Sequence, residues 1–279
     1  MGTFINENFV SIKINGKKGE GPEIKKSLSV YGYPTIVFID TDGTELDRIS
    51  GWDGDKENFT ATLKDYLQGK GTFKAMLAEL ESSPDDLELN YAMAQKYLSR
   101  WESSKAAPYF KKVLALDPQD EKNYSETARC YVAMDQMWTD KKPQKLETFV
   151  KNCTSKELLK KSFSSLVRYY TRQDDTENAI LVYDTYLSKF PDDAGLMNGF
   201  AWFIYEQKLQ DQYAKGVKIA ERAVELEPEA AHIWDTLGWL YYESKEYPSA
   251  VMAMGKAVEL EPETEGFKKN LDKFKLMLN

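Results

Sequence analysis

The sequence predicts a mainly α-helical chain of repeated helix pairs, preceded by a small α/β segment. Prolines close apolar runs at LALDPQD (Pro118), LSKFPDD (Pro191), VELEPEA (Pro228) and VELEPET (Pro262). The last two are 34 residues apart and the pair before them 37. Between the prolines, small and large residues recur at helical spacing, as two closely packed helices require. Residues 9–70 follow another rule, with short period-2 runs separated by glycine and proline.

The final repeat is the most complete. Counting from Ala231, it carries Trp234, Leu237, Gly238, Tyr241, Ala250, Met254, Ala257 and Pro262. Gly238 and Ala250 let the helices approach, the larger residues fill the space between turns, and Pro262 stops the second helix because it has no amide donor. The unit from Leu87 has Ala94, Tyr97, Ala106, Phe110 and Pro118. The unit from Lys160 has Leu166, Tyr170, Ala179, Tyr183 and Pro191. Residues 194–228 keep Ala201 and Ala223 around an insertion near KLQDQY, and residues 121–154 are the least regular unit. These positions and the 34-residue period resemble the tetratricopeptide repeat family. The resemblance implies an α-solenoid of about five helix pairs over 72–262, capped by an amphipathic helix over 263–279.

In the N-terminal part, Val10, Ile12 and Ile14 alternate with polar residues and predict a half-buried strand. A short helix at PEIKKSLSVY, strands at TIVFID and ELDRIS joined by Asp42-Gly43, and a helix at ENFTATLKDYLQG follow. The stretch VYGYPTIVFIDTDGTELDRISGW resembles the C-terminal half of a thioredoxin-like domain, giving a partial domain over 1–71. The resemblance makes Tyr33 and Pro34 the counterpart of that family's peptide-contacting cis-proline loop. Its W-C-x-x-C motif has no counterpart in this sequence. The strand that the family's sheet order places between FVSIKI and TIVFID is also missing, so either FVSIKI pairs abnormally, or another chain fills the gap by self-association through incomplete sheet edges, or an upstream segment is missing.

Composition narrows the function. A net charge of −8 argues against a nucleic-acid partner, since phosphate backbones would be repelled. No apolar run is long enough for membrane insertion. The first residues lack a basic and then apolar leader, so the chain as given is expected to be cytoplasmic, or periplasmic if a segment precedes it. Two cysteines, Cys130 and Cys153, and one histidine, His232, are too few for a structural zinc site, and no cofactor is expected. DTDGTE reads as a hairpin turn rather than a calcium loop. GKKGEGPE reads as a connection rather than a phosphate loop.

The resemblance to tetratricopeptide repeats places groove positions at His232, Asp235, Trp239, Tyr242 and Glu243 in the last unit. The unit before it contributes Asn198, Trp202, Tyr205 and Glu206. Two tryptophans and two tyrosines on one wall suit a partner-binding surface or packing against the capping helix. The function expected is a non-enzymatic scaffold for a partner peptide or protein. The alternative is a thiol–disulfide oxidoreductase or redox-linked chaperone whose CxxC lies upstream of this chain.

Overall fold

The computed structural model describes residues 1–278; Asn279, the last residue of the expected cap, lies outside the described residues. The chain divides into two compact units, Met1–Ser162 and Phe163–Asn279.

The first unit begins with α1 (Gly2–Asn8) and α2 (Gly21–Ser27). Then β1 (Thr35–Ile39) and β2 (Glu45–Ser50) pair antiparallel as a two-stranded sheet, followed by α3 (Lys56–Leu67) and α4 (Phe73–Ser82). Asp42 and the positive-φ Gly43 make the turn between the strands, as the sequence predicts. Phe38, Leu63 and Tyr66 form the local core, with Phe4, Phe9 and Phe59 packed around it. The strand expected at 10–14 does not form. Val10 is 93% exposed and Ile12 78%, and the segment enters no sheet. Period-2 alternation selects an extended backbone, but a strand also needs a hydrogen-bonding neighbour, and none lies there among the described residues.

Helix pairs follow: α5 (Leu87–Ser99) with α6 (Ser103–Leu116), then α7 (Ser125–Thr139) with α8 (Gln144–Asn152). Phe110 on α6 is fully buried among Ala94, Ala106 and Ala128 and stacks on Tyr131. The division into units falls within α9 (Lys156–Thr171).

A buried ion network fastens β2 to α4 and α5 inside the first unit. Asp47 is fully buried. It accepts hydrogen bonds from the backbone of Arg48 (2.7 Å) and Phe73 (3.1 Å) and pairs with Lys96, while Arg100 lies 3.8 Å away. Arg100 also donates to Glu45 (2.8 Å) and Glu102 (3.0 Å), and Arg48 donates to Glu45. Three carboxylates thus meet three cations, so no buried charge is left uncompensated.

The second unit contains α10 (Thr176–Lys189), α11 (Ala194–Glu206), α12 (Tyr213–Leu226), α13 (Ala231–Glu243), α14 (Tyr247–Leu260) and α15 (Glu265–Lys275). Phe163 on α9 stacks on Tyr186 at 4.3 Å, and Tyr183 stacks on Phe200 at 4.5 Å, joining α9, α10 and α11. Aspartates cap the helices whose sequences begin after an acidic turn: the Asp175 and Asp193 carboxylates accept from the amides of Asn178 and Leu196. The insertion near KLQDQY is a single 3₁₀ turn, Gln210–Gln212.

Gly238 sits where α13 and α14 meet. A Cβ there would lie 3.3 Å from Met254 Cε and 3.4 Å from the Met254 backbone nitrogen. Gly238→Ala should therefore need only a shift of a few tenths of an ångström in the Met254 methyl, whereas Gly238→Leu should overpack the pair and cost about 1–3 kcal/mol. Thermal denaturation of both variants checks this; equal melting temperatures would show that the helices are not in close contact at Gly238. Among the described residues, no helix is long and apolar enough to cross a membrane.

Candidate functional site

The groove positions expected in the second unit form one continuous aromatic wall. Trp202 and Tyr205, three residues apart on α11, sit 5.0 Å apart by ring centroid. Tyr205 contacts Trp239 of α13 at 5.3 Å, and Trp239 contacts Tyr242 at 5.8 Å edge-to-face. Helical spacing puts each pair on one face, and neighbouring first helices bring the faces together.

The wall is covered at one end and open at the other. Phe274 of α15, itself fully buried, meets Trp239 edge-to-face at 4.9 Å and stacks on Tyr242 at 4.6 Å. The Lys273 ammonium lies 4.5 Å from the Trp239 ring centroid, and Asn270 donates to Asp235 at 3.4 Å. Burial pushes the Asp235 carboxyl above the usual carboxylate range, against the opposing hydrogen bonds of Asn270 and Trp239. Asp235, Trp239 and Tyr242 thus face the C-terminal helix. His232 is exposed at the start of α13, and its carbonyl accepts from Thr236.

At the open end, Trp202 keeps 36% of its surface exposed. It borders a cleft of about 370 Å³ with Arg168 and Thr171 of α9, Tyr183 of α10, and Phe203 and Glu206 of α11. Burial pushes the Tyr183 phenol up to about 12, so it stays protonated. Asn198, one turn before Trp202, holds a buried side-chain oxygen with no hydrogen-bond partner among the described residues. Such an acceptor costs free energy until a donor reaches it. The sequence pointed to Trp202, Tyr205 and Asn198. It did not mark Arg168, whose only signal is its place one turn before the end of a first helix.

In the first unit, the Tyr33–Pro34 bond is cis and both residues are exposed. The Pro34 carbonyl accepts from Gly51 at 2.8 Å, and the Lys25 ammonium lies over the Tyr33 ring at 5.2 Å. The cysteines belong to other elements: Cys130 lies on α7 and Cys153 caps α8. Both are buried free thiols. Burial pushes each to about 11, reinforced at Cys153 by Glu126 and partly offset at Cys130 by the Ser162 hydroxyl. Both are therefore thiols, not thiolates, at neutral pH.

Residues 231–264, spanning α13 and α14, match the tetratricopeptide repeat model. No curated relative matches the chain. Among solved structures, YrrB, described as a tetratricopeptide protein with an unusual peptide-binding site, is 15% identical. The match covers 71% of this chain and 98% of YrrB, with a TM-score of 0.51. A tetratricopeptide protein from Parabacteroides merdae ATCC 43184 is also 15% identical, over 80% of this chain and 81% of its own, at a TM-score of 0.40. MamA from Desulfovibrio magneticus RS-1 is 18% identical, over 68% and 84%, at 0.39. The likeness to YrrB shows the fold, and the two lower scores add nothing to it. The chain is mainly helical and carries a tetratricopeptide-type solenoid; among the described residues the only sheet is the small two-stranded one near the N-terminus.

Proposed function

We propose that the protein is a binding scaffold whose second unit holds a partner peptide or protein segment across Trp202, Tyr205 and Asn198. Asp235, His232, Trp239 and Tyr242 form the neighbouring wall. The carrying observation is the unfinished aromatic wall. Phe274 fills one end from within the chain, while Trp202 at the other end stays exposed beside the unsatisfied Asn198 oxygen. A partner supplying an apolar side chain to Trp202 and an N–H to Asn198 would complete both. Aromatic anchors of this kind dominate binding energies in protein interfaces. This reading uses a domain division of 1–71, 72–262 and 263–279, with the middle segment as the recognition array.

Peptides selected from a displayed library against the full chain test the proposal. Trp202→Ala should weaken their binding by about 2 kcal/mol or more and leave the melting temperature nearly unchanged. Asn198→Ala should weaken the same peptides less. Selected peptides that bind both variants as tightly as the parent would place recognition elsewhere.

A further inference from the structure

The first unit holds a second cleft, unrelated to the aromatic wall. It measures about 510 Å³ and opens between the end of α6, one face of α7 and the short helix α8. Helix α8 has nine residues where α6 has fourteen, so it covers less of its neighbour. Leu114, Val132 and Phe149 give the cleft apolar walls. Gln136, on α7, has a buried Oε1 with no hydrogen-bond partner among the described residues.

Its charges are unevenly occupied. The two acidic residues lining it are turned to backbone donors. Asp120 accepts from the Ser125 amide at 2.9 Å, and Glu126 accepts from the Thr154 and Ser155 amides, at 2.6 Å and 3.3 Å, and from the Thr154 hydroxyl. The two cations, Arg129 and Lys145, are exposed. Neither forms an ion pair among the described residues, although acidic residues outnumber basic ones 45 to 37 along the chain. The cleft therefore presents two uncommitted cations, an apolar floor and one buried acceptor awaiting a donor.

We propose that this cleft binds an extended peptide segment carrying an internal Asp or Glu beside an apolar residue. The carboxylate pairs with Arg129 and Lys145, the apolar side chain rests on Phe149 and Val132, and a backbone N–H of the segment donates to Gln136 Oε1. A volume of this size suits one or two side chains, within the range of about 300–1,000 Å³ for ligand sites. Charge-assisted pairing supplies the selectivity for an acidic residue.

The test titrates the full chain with capped peptides that alternate leucine and glutamate, and with otherwise identical peptides carrying glutamine for glutamate. The glutamate peptides should bind at least about tenfold more tightly, a difference that salt reduces. Arg129→Gln with Lys145→Gln should remove that preference. Gln136→Leu should weaken peptide binding while leaving the melting temperature equal or higher, because it removes an unsatisfied buried acceptor. Repeating the titrations in the Trp202→Ala background, which disables the groove of the second unit, separates the two sites, and the glutamate preference should persist there. Four results would overturn the proposal: no binding, equal binding of the glutamine peptides, loss of binding in Trp202→Ala, or displacement by octanoate at the same concentration as peptide. The last would mark a pocket for small apolar acids instead.

Discussion

Asp47→Ala should destabilise the first unit by about 3–5 kcal/mol, the usual cost of removing one partner from a buried ion pair. The substitution leaves Lys96 and Arg100 facing an empty buried position and strips the Arg48 and Phe73 amides of their acceptor. Asp47→Ala combined with Lys96→Met should recover part of the loss, since the second change removes the stranded charge. Denaturant unfolding of the single and double variants measures this. A single variant within about 0.5 kcal/mol of the parent would match an ordinary surface substitution and contradict the network. The network also carries a pH signature. Burial raises the Glu45 carboxyl, but hydrogen bonds from Arg48 and Arg100 outweigh it and hold the group below its ordinary 4.5. Glu102 is lowered likewise, with Lys105 and Arg100 outweighing burial. A depressed folded-state value means this stability is present above the unfolded value and lost as pH falls through the folded one. Acid below about pH 4.5 should therefore loosen the attachment of β2 to α5.

Phe274→Ala should lower the free energy of opening α15 by about 3–5 kcal/mol, the range for deleting a fully buried phenylalanine ring. The ring is the only apolar side chain of α15 that is fully buried, and it joins the helix to both Trp239 and Tyr242. Amide exchange along α15 should accelerate, and Trp239 emission should shift red as its ring meets water. Unchanged exchange would mean that Asn270, Lys273 or the following turn holds the helix without Phe274.

The helical part was legible because its signals are local and repeated. Gly238, Ala250 and Tyr241 have the spacing a close helix crossing demands, and α13 and α14 appear at the expected residues. The caps at Asp175 and Asp193 follow from acidic residues placed before apolar runs. The ion network was not legible. In ELDRIS, the charges Glu45, Asp47 and Arg48 read as the solvent face of a strand, and their partners lie on a helix about fifty residues later. Only the folded chain shows that this face is buried. Residues 10–14 failed for the opposite reason: the alternation is real, but the neighbouring strand it requires is not among the described residues. At the groove, sequence spacing placed Trp202 and Trp239 on corresponding turns. It left packing against the capping helix open as one of two readings, but did not show that Phe274 would cover Trp239 and leave Trp202 exposed, because that depends on where α15 lies in space.

The most direct test of the scaffold reading is to map a selected peptide on the full chain by photo-crosslinking from position 206, which is exposed beside Trp202. The account predicts crosslinks from a benzoylphenylalanine at that position to the peptide's apolar residue, abolished by Trp202→Ala. A bound peptide that crosslinks equally well in the Trp202→Ala background, or only from a reporter placed beside Pro34, would contradict it.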